Sequence, residues 1–98
     1  MGRIVLVTGG ISGIGAATAR LFKSLGHEVI ASYAANHSLA ESFNRQTGIA
    51  VLGWNIADFA ATRQAIDRIA STHGPVEILV NNAGIVRDCM LHKMTAEQ

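Results

Sequence analysis

The sequence predicts an α/β fold, a doubly wound parallel sheet with the element order βαβαβαβ. Three observations carry the prediction. Four apolar runs recur along the 98 residues, and a stretch with helical periodicity separates each from the next. The runs are continuously apolar instead of alternating with polar residues, as befits strands buried on both faces. Finally, the stretch VTGGISGIG, residues 7–15, places four glycines directly after the first run. Glycine costs backbone entropy and adds little to a core, so such a cluster marks a sharp turn or the close approach of a ligand.

The elements follow in order. Residues 3–7 read as a buried strand. Residues 13–25 read as a helix carrying Ile14, Ala17, Leu21, Phe22 and Leu25 on one side, with Gly26 as its stop. A second strand spans 28–33, and a helix over 38–46 begins at a Ser38 cap. The third strand, 49–56, ends at Asn55-Ile56-Ala57-Asp58. Asp58 can cap the helix over 59–72, in which Ile66, Ile69 and Ala70 recur at helical spacing. Gly74-Pro75 then breaks the chain before the apolar strand 77–80. Right-handed crossovers between parallel strands put helices on both faces of the sheet. The last four residues, Thr95-Ala96-Glu97-Gln98, have the T-x-x-Q form of a capping box. A helix should begin there, so the expectation is one domain that is the amino-terminal, cofactor-binding part of something longer, cut at a helix start.

Composition narrows the function classes. The chain is 49% hydrophobic and 15% charged, a composition that buries a core. Eight Lys plus Arg against seven Asp plus Glu leave a formal charge of +1, without a basic run, so no nucleic-acid footprint and no polybasic membrane patch is expected. The single cysteine, Cys89, has no internal disulfide partner and no adjacent base, and reads as an inert thiol. Met1 leads into strand-like sequence with no leader, and no apolar stretch approaches the roughly 18 residues of a membrane helix, so a cytoplasmic location is expected. His27, His37, His73 and His92 are scattered without metal-site spacing; they read as surface residues, with no metal implied. Trp54 reads as packing.

Gly9, Gly10, Gly13 and Gly15 bridge a strand to a helix N-terminus. A pyrophosphate fits there, because the unpaired N–H groups and the positive end of the helix dipole point at it. Gly13 and Gly15 then serve close approach and helix packing. The G-x-G-x-x-G fingerprint and the Lys-Ser/Thr ending of a P-loop are both absent, and a tight turn without a ligand is the plainer alternative. A second loop agrees with the first. Asn81-Asn82-Ala83-Gly84 ends the fourth strand, and in a sheet of order 3-2-1-4 that strand lies beside the first, at the switch point where ligands bind. A simple strand-ending turn is the plainer reading of those asparagines.

With Thr8-Gly9-Gly10-Ile11-Ser12-Gly13-Ile14-Gly15 and Asn81-Asn82-Ala83-Gly84 at about the right separation, the chain resembles the short-chain dehydrogenase/reductase family over nearly its whole length. The continuation from Gly84 to Met90, with Lys93-Met94-Thr95, looks most like the acetoacetyl-CoA reductases and the 3-oxoacyl-[acyl-carrier-protein] reductases, the first more closely. The resemblance implies a Rossmann-type fold, a homo-oligomeric parent, and reduction of a 3-oxoacyl thioester of CoA or acyl-carrier protein. It implies that Gly9, Gly10, Ile11 and Ser12 line the pyrophosphate, and that Gly13, Ile14 and Gly15 complete the cofactor turn. Asn55 and Ile56 would meet the adenine, and Asn82, Ala83, Gly84, Ile85 and Val86 would border the nicotinamide. Asp88 would approach the acyl-CoA, although a solvated surface Asp is an equally good reading.

The choice between NAD and NADP turns on the end of strand two, where an acid would accept from the ribose 2′-OH and repel a 2′-phosphate. Ser32-Tyr33-Ala34-Ala35-Asn36 contains none, which favours NADP with Tyr33 at the site. No Lys or Arg stands close by; His37 follows, and Arg45 lies well down the helix. The family's proton donor, a Tyr with a Lys four residues later and a Ser, is missing. The only tyrosine is Tyr33, with His37 at that spacing, and Ser12 belongs to the phosphate turn. Two function classes follow: the cofactor half of an NADP-linked reductase, inactive by itself, or a complete dinucleotide-binding module without catalysis. A Ser and a Tyr-x-x-x-Lys beyond Gln98 would select the first.

Overall fold

The computed structural model describes residues 2–82. Four strands, β1 (Ile4–Thr8), β2 (Glu28–Tyr33), β3 (Ala50–Gly53) and β4 (Ile78–Asn81), alternate with three helices, α1 (Gly13–Ser24), α2 (His37–Thr47) and α3 (Phe59–Thr72). All pairings are parallel and the order is β3-β2-β1-β4, as the alternation of elements predicts. β1 sits at the centre, with Leu6 in register with Ile30 on one side and Leu79 on the other.

Why the strands lack alternation is visible in the packing. Along β1 the side chains point to opposite faces in turn. Val5 and Val7 join Val29 and Ala31 beneath α1 and α2, in a core with Ala19, Ala40, Phe43 and Ile49. Leu6 and Ile30 join Ile69 of α3 on the other face, with Leu79, Trp54 and Ile66 packed around them. Both faces are covered, so both must be apolar.

Three details differ from the sequence reading. The buried face of α1 is Gly15 and Ala19, with Ala16 and Phe22 partly buried against the same core. Ile14, Leu21 and Leu25 are 78%, 58% and 64% exposed. The small residues let the helix axis lie close to the sheet, which a stripe of large residues would prevent. α2 begins one residue before the expected Ser38 cap: its N-cap is Asn36, in the left-handed region at φ 67, whose side chain accepts the Leu39 N–H. β3 ends at Gly53, opposite the last residue of β2, Tyr33; the Trp54 N–H still bonds the Tyr33 carbonyl, but the chain then turns away. α3 spans the expected residues, and the Asp58 side chain accepts the Ala61 N–H.

His37 is exposed as expected, but two other histidines are less peripheral. His27 and His73 are half-buried. His27 Nδ1 accepts the Arg3 N–H, and His73 Nδ1 lies 2.8 Å from Glu28 Oε2. Among the described residues no cluster could hold a metal ion, and no helix is long and apolar enough to cross a membrane. Cys89, His92 and the Thr95–Gln98 capping box lie outside the described residues.

Candidate functional site

Because every strand is parallel, the segments that follow them all leave from one edge of the sheet. There they enclose a cleft of about 530 Å³. From the first loop come Gly9, Ser12, Gly13 and Ile14, from the β2 end Ser32, Tyr33 and Ala34, and from beyond β3 Trp54 and Ile56; Asn82, after β4, completes the lining. A hollow of similar size, about 550 Å³ between α1 and α2 near Arg20, Lys23 and Thr47, has no strand end opening into it.

The two motif loops are tied together by one buried side chain. Thr8 is fully buried. Its Oγ1 accepts the Asn82 N–H at 2.9 Å, and its single proton faces Asn81 Oδ1 at 3.2 Å and the Val80 carbonyl at 3.4 Å. Asn82 Nδ2 in turn donates to the Gly9 carbonyl at 3.3 Å. The asparagines are therefore a clasp between the ends of β1 and β4. Asn81 Nδ2 is the exception, a buried donor with no hydrogen-bond partner among the described residues.

Two glycines of the turn are required for different reasons. A Cβ on Gly15 would lie 2.0 Å from the Gly9 carbonyl oxygen and 2.6 Å from Asn82 Nδ2, so only glycine lets α1 start against the loop. Gly13 has φ +56 and nothing within 4 Å of where its Cβ would be. It faces open space at the first turn of α1, which contains no acidic residue; Ser12, the N-cap, makes no side-chain capping bond. The amides of a first turn have no partner within the helix. A glycine-backed opening with free donors, the dipole's positive end and no competing carboxylate fits a pyrophosphate.

The structure does not bring all the predicted residues into the cleft. Ile11 is buried in the core at 8% exposure, so only its backbone is left for a ligand. Gly10 is buried too, and its N–H bonds the Ser32 carbonyl, fastening the turn to β2. Asn55 spends its Oδ1 on the Ala57 N–H, a local turn, and does not line the cleft, whereas Ile56 does. Ala83, Gly84, Ile85, Val86 and Asp88 lie outside the described residues. Sequence reasoning missed Ser32, Ala34 and Trp54. The signal for Trp54 was available, since in an extended segment residues 54 and 56 share a face and Asn55 takes the other. Trp54 also donates from Nε1 to Thr62 Oγ1 at 2.9 Å, so it is packing and cleft wall together.

A doubly wound sheet whose switch-point crevice opens on a glycine turn at a helix N-terminus is a Rossmann-type nucleotide-binding fold. The chain belongs to the short-chain dehydrogenase family, whose model matches residues 3–98. It is 47% identical over all 98 residues to the acetoacetyl-CoA reductase of Shinella zoogloeoides, of which it covers 41%. It thus spans about two-fifths of the length of the curated relatives it matches. Among solved structures, a ribose-5-phosphate isomerase from Brucella melitensis 16M superposes with a TM-score of 0.77 at 33% identity, over 86% of this chain and 32% of that one. The L-sorbose reductase of Gluconobacter frateurii, complexed with NADPH and L-sorbose, gives 0.69 at 30%, over 86% and 34%. An isomerase and a reductase on one fold show that the fold does not by itself fix the reaction.

Proposed function

We propose that these residues form the cofactor-holding half of an NADPH-dependent reductase that converts a 3-oxoacyl thioester, acetoacetyl-CoA foremost, to the 3-hydroxyacyl thioester. The observation that carries the reading is the convergence of the Gly9–Gly15 turn and the Asn82 clasp on one cleft at the carboxyl edge of the sheet. The substrate class is supported by the 47% identity to an acetoacetyl-CoA reductase.

When bound, the reduced nicotinamide supplies the hydride that reaches the C3 ketone. The protein's part is to hold and orient. The first-turn amides of α1, with the backbone of Gly9, Ile11 and Ser12, take the pyrophosphate where Gly13 leaves room. Trp54 and Ile56 wall the adenine end, Asn55 keeping that turn in shape, and Tyr33 with Ala34 borders the ribose. By the family resemblance, Asn82 and residues 83–86 would border the nicotinamide and Asp88 would approach the thioester. The end of β2 offers no carboxylate to repel a 2′-phosphate, which supports NADP over NAD. The alkoxide formed at C3 needs a proton, and no Tyr-x-x-x-Lys pair exists in residues 1–98. That proton comes from elsewhere in the functional protein, which we take to be a homo-oligomer.

The test is kcat/KM for acetoacetyl-CoA with NADPH and with NADH, on a full-length reductase carrying residues 1–98. NADPH should win by at least about tenfold. A tenfold advantage for NADH overturns the cofactor assignment, and no turnover of any 3-oxoacyl thioester overturns the substrate class.

A further inference from the structure

The edge of the sheet opposite the cleft is where the strands begin and the helices end. There a polar hollow of about 340 Å³ opens between the ends of α1, α2 and α3 and the starts of β2 and β3. Lys23 comes from the last turn of α1, His27 and Glu28 from the start of β2, Asn44 from α2, and His73 is the C-cap of α3. Opposite charges line this hollow without closing on each other. The Glu28 carboxylate pairs with His73, Oε2 lying 2.8 Å from Nδ1, and Lys23 meets no carboxylate among the described residues. The ammonium lies instead beside Gly48, whose φ of +75 ends α2; a Cβ there would stand 3.7 Å from Lys23 Nζ.

We propose that this hollow binds a small zwitterion, a molecule carrying a carboxylate and an ammonium group a few bonds apart. The hydrogen bonds already made by the lining residues decide what each has left to offer. His27 Nδ1 accepts the Arg3 N–H at 3.0 Å, so the proton of the neutral imidazole sits on Nε2 and makes that nitrogen a donor. With the Lys23 ammonium it forms a donor pair suited to a carboxylate. The remaining groups are acceptors. Asn44 spends Nδ2 on the Ile49 carbonyl at 2.9 Å and keeps Oδ1. Glu28 spends Oε2 on His73 and keeps Oε1; because a carboxylate can only accept, His73 holds its proton on Nδ1 and, when neutral, leaves Nε2 bare. Those atoms suit an ammonium. The formal charges of Lys23 and Glu28 cancel, so a simple anion is opposed by Glu28 and a simple cation by Lys23, whereas a zwitterion satisfies both. The volume, about 340 Å³, is near the lower end of the roughly 300–1,000 Å³ of small-molecule pockets, and so selects a small ligand. None of these residues lines the dinucleotide cleft, so the proposal does not rest on the reading given above.

The test reads binding and not turnover. A folded full-length reductase carrying residues 1–98, labelled with ¹⁵N-histidine, is titrated with glycine, 3-aminopropanoate and 4-aminobutanoate, and with acetate and methylammonium as single-charge probes. At least one of the amino acids should bind about tenfold more tightly than either single-charge probe, since each end adds a charge-assisted hydrogen bond. The same titration should move the ring ¹⁵N resonances of His27 and His73. Lys23→Met should reduce the affinity to that of methylammonium, and Lys23→Arg should restore part of it. Glu28→Gln, at the other end of the ligand, should reduce it to that of acetate. Circular dichroism of each variant separates loss of the site from loss of the fold. Equal affinity for the amino acids and the single-charge probes, no binding of any of them, or wild-type affinity in either Lys23→Met or Glu28→Gln overturns the proposal.

Discussion

Glycines 13 and 15 stand two residues apart and do opposite things. Gly13 faces open space in a left-handed conformation, and Gly15 faces the Gly9 carbonyl at a distance no Cβ tolerates. Substitutions should separate the two roles. In Gly13→Val a branched side chain would occupy the opening proposed for pyrophosphate, and calorimetric titration of the folded full-length variant with NADPH should detect no binding; unchanged affinity would mean that the glycine serves the turn alone. Gly15→Ala should instead lower the melting temperature, since either α1 or the Asn82 clasp must move. At Tyr33, replacement by Asp would put a carboxylate beside the ribose, and the kcat/KM ratio should shift toward NADH; a ratio that stays put would place cofactor choice elsewhere. Legibility at this scale depends on how many jobs a residue type has. Gly13 and Asn82 could be read because small and amide residues at a strand end have few uses. Trp54 was passed over because a large apolar residue reads as core, although the face it shares with Ile56 marked it; it is core as well as cleft.

Helices reveal their ends more readily than their faces. α3 was legible at both ends because Asp58 has no competitor as a cap and Gly74-Pro75 stops any continuation. Asp58→Ala should therefore cost about 1 kcal/mol, visible as a lower urea midpoint with unchanged m-value; an unmoved midpoint would mean that the Ala61 N–H is satisfied without it. At α2 the more obvious cap residue, Ser38, lost to Asn36, because asparagine alone of the two tolerates the left-handed backbone that the turn demands. At α1 the large apolar residues pointed to the wrong face. The governing pattern is the small one, Gly15 and Ala19 one helical turn apart, and close helix-to-sheet approach is a tertiary requirement that hydrophobicity counts do not register. β3 was read three residues past its end, since apolar sequence continues through Trp54 and Ile56 after the partner strand has ended at Tyr33.

For the whole molecule, sheet order and missing chemistry make one joint prediction about the 98-residue chain purified alone. Strand order was legible because parallel topology and right-handed crossovers leave few choices. Among the described residues β4 pairs with β1 alone, so its other edge presents a row of backbone N–H and C=O groups alongside Ile78, Leu79 and Val80. An apolar edge without a neighbouring strand is a template for another chain, and Ile14, Leu21 and Leu25 add exposed apolar surface on α1. A chain of this size also buries a modest share of its surface, which leaves little stability to resist such pairing. The chain should therefore associate, giving light-scattering masses above the monomer's 10.3 kDa that grow with concentration. The same sample should show no reduction of acetoacetyl-CoA by NADPH above background, because a positioned acid for the alkoxide is worth roughly 10²–10⁴ in rate and the only tyrosine, Tyr33, is engaged with His37 at the end of β2. The two outcomes are independent. A monodisperse monomer would mean that the β4 edge is covered, whereas steady turnover would mean that a proton donor exists within these residues and that the division of labour proposed for them is wrong.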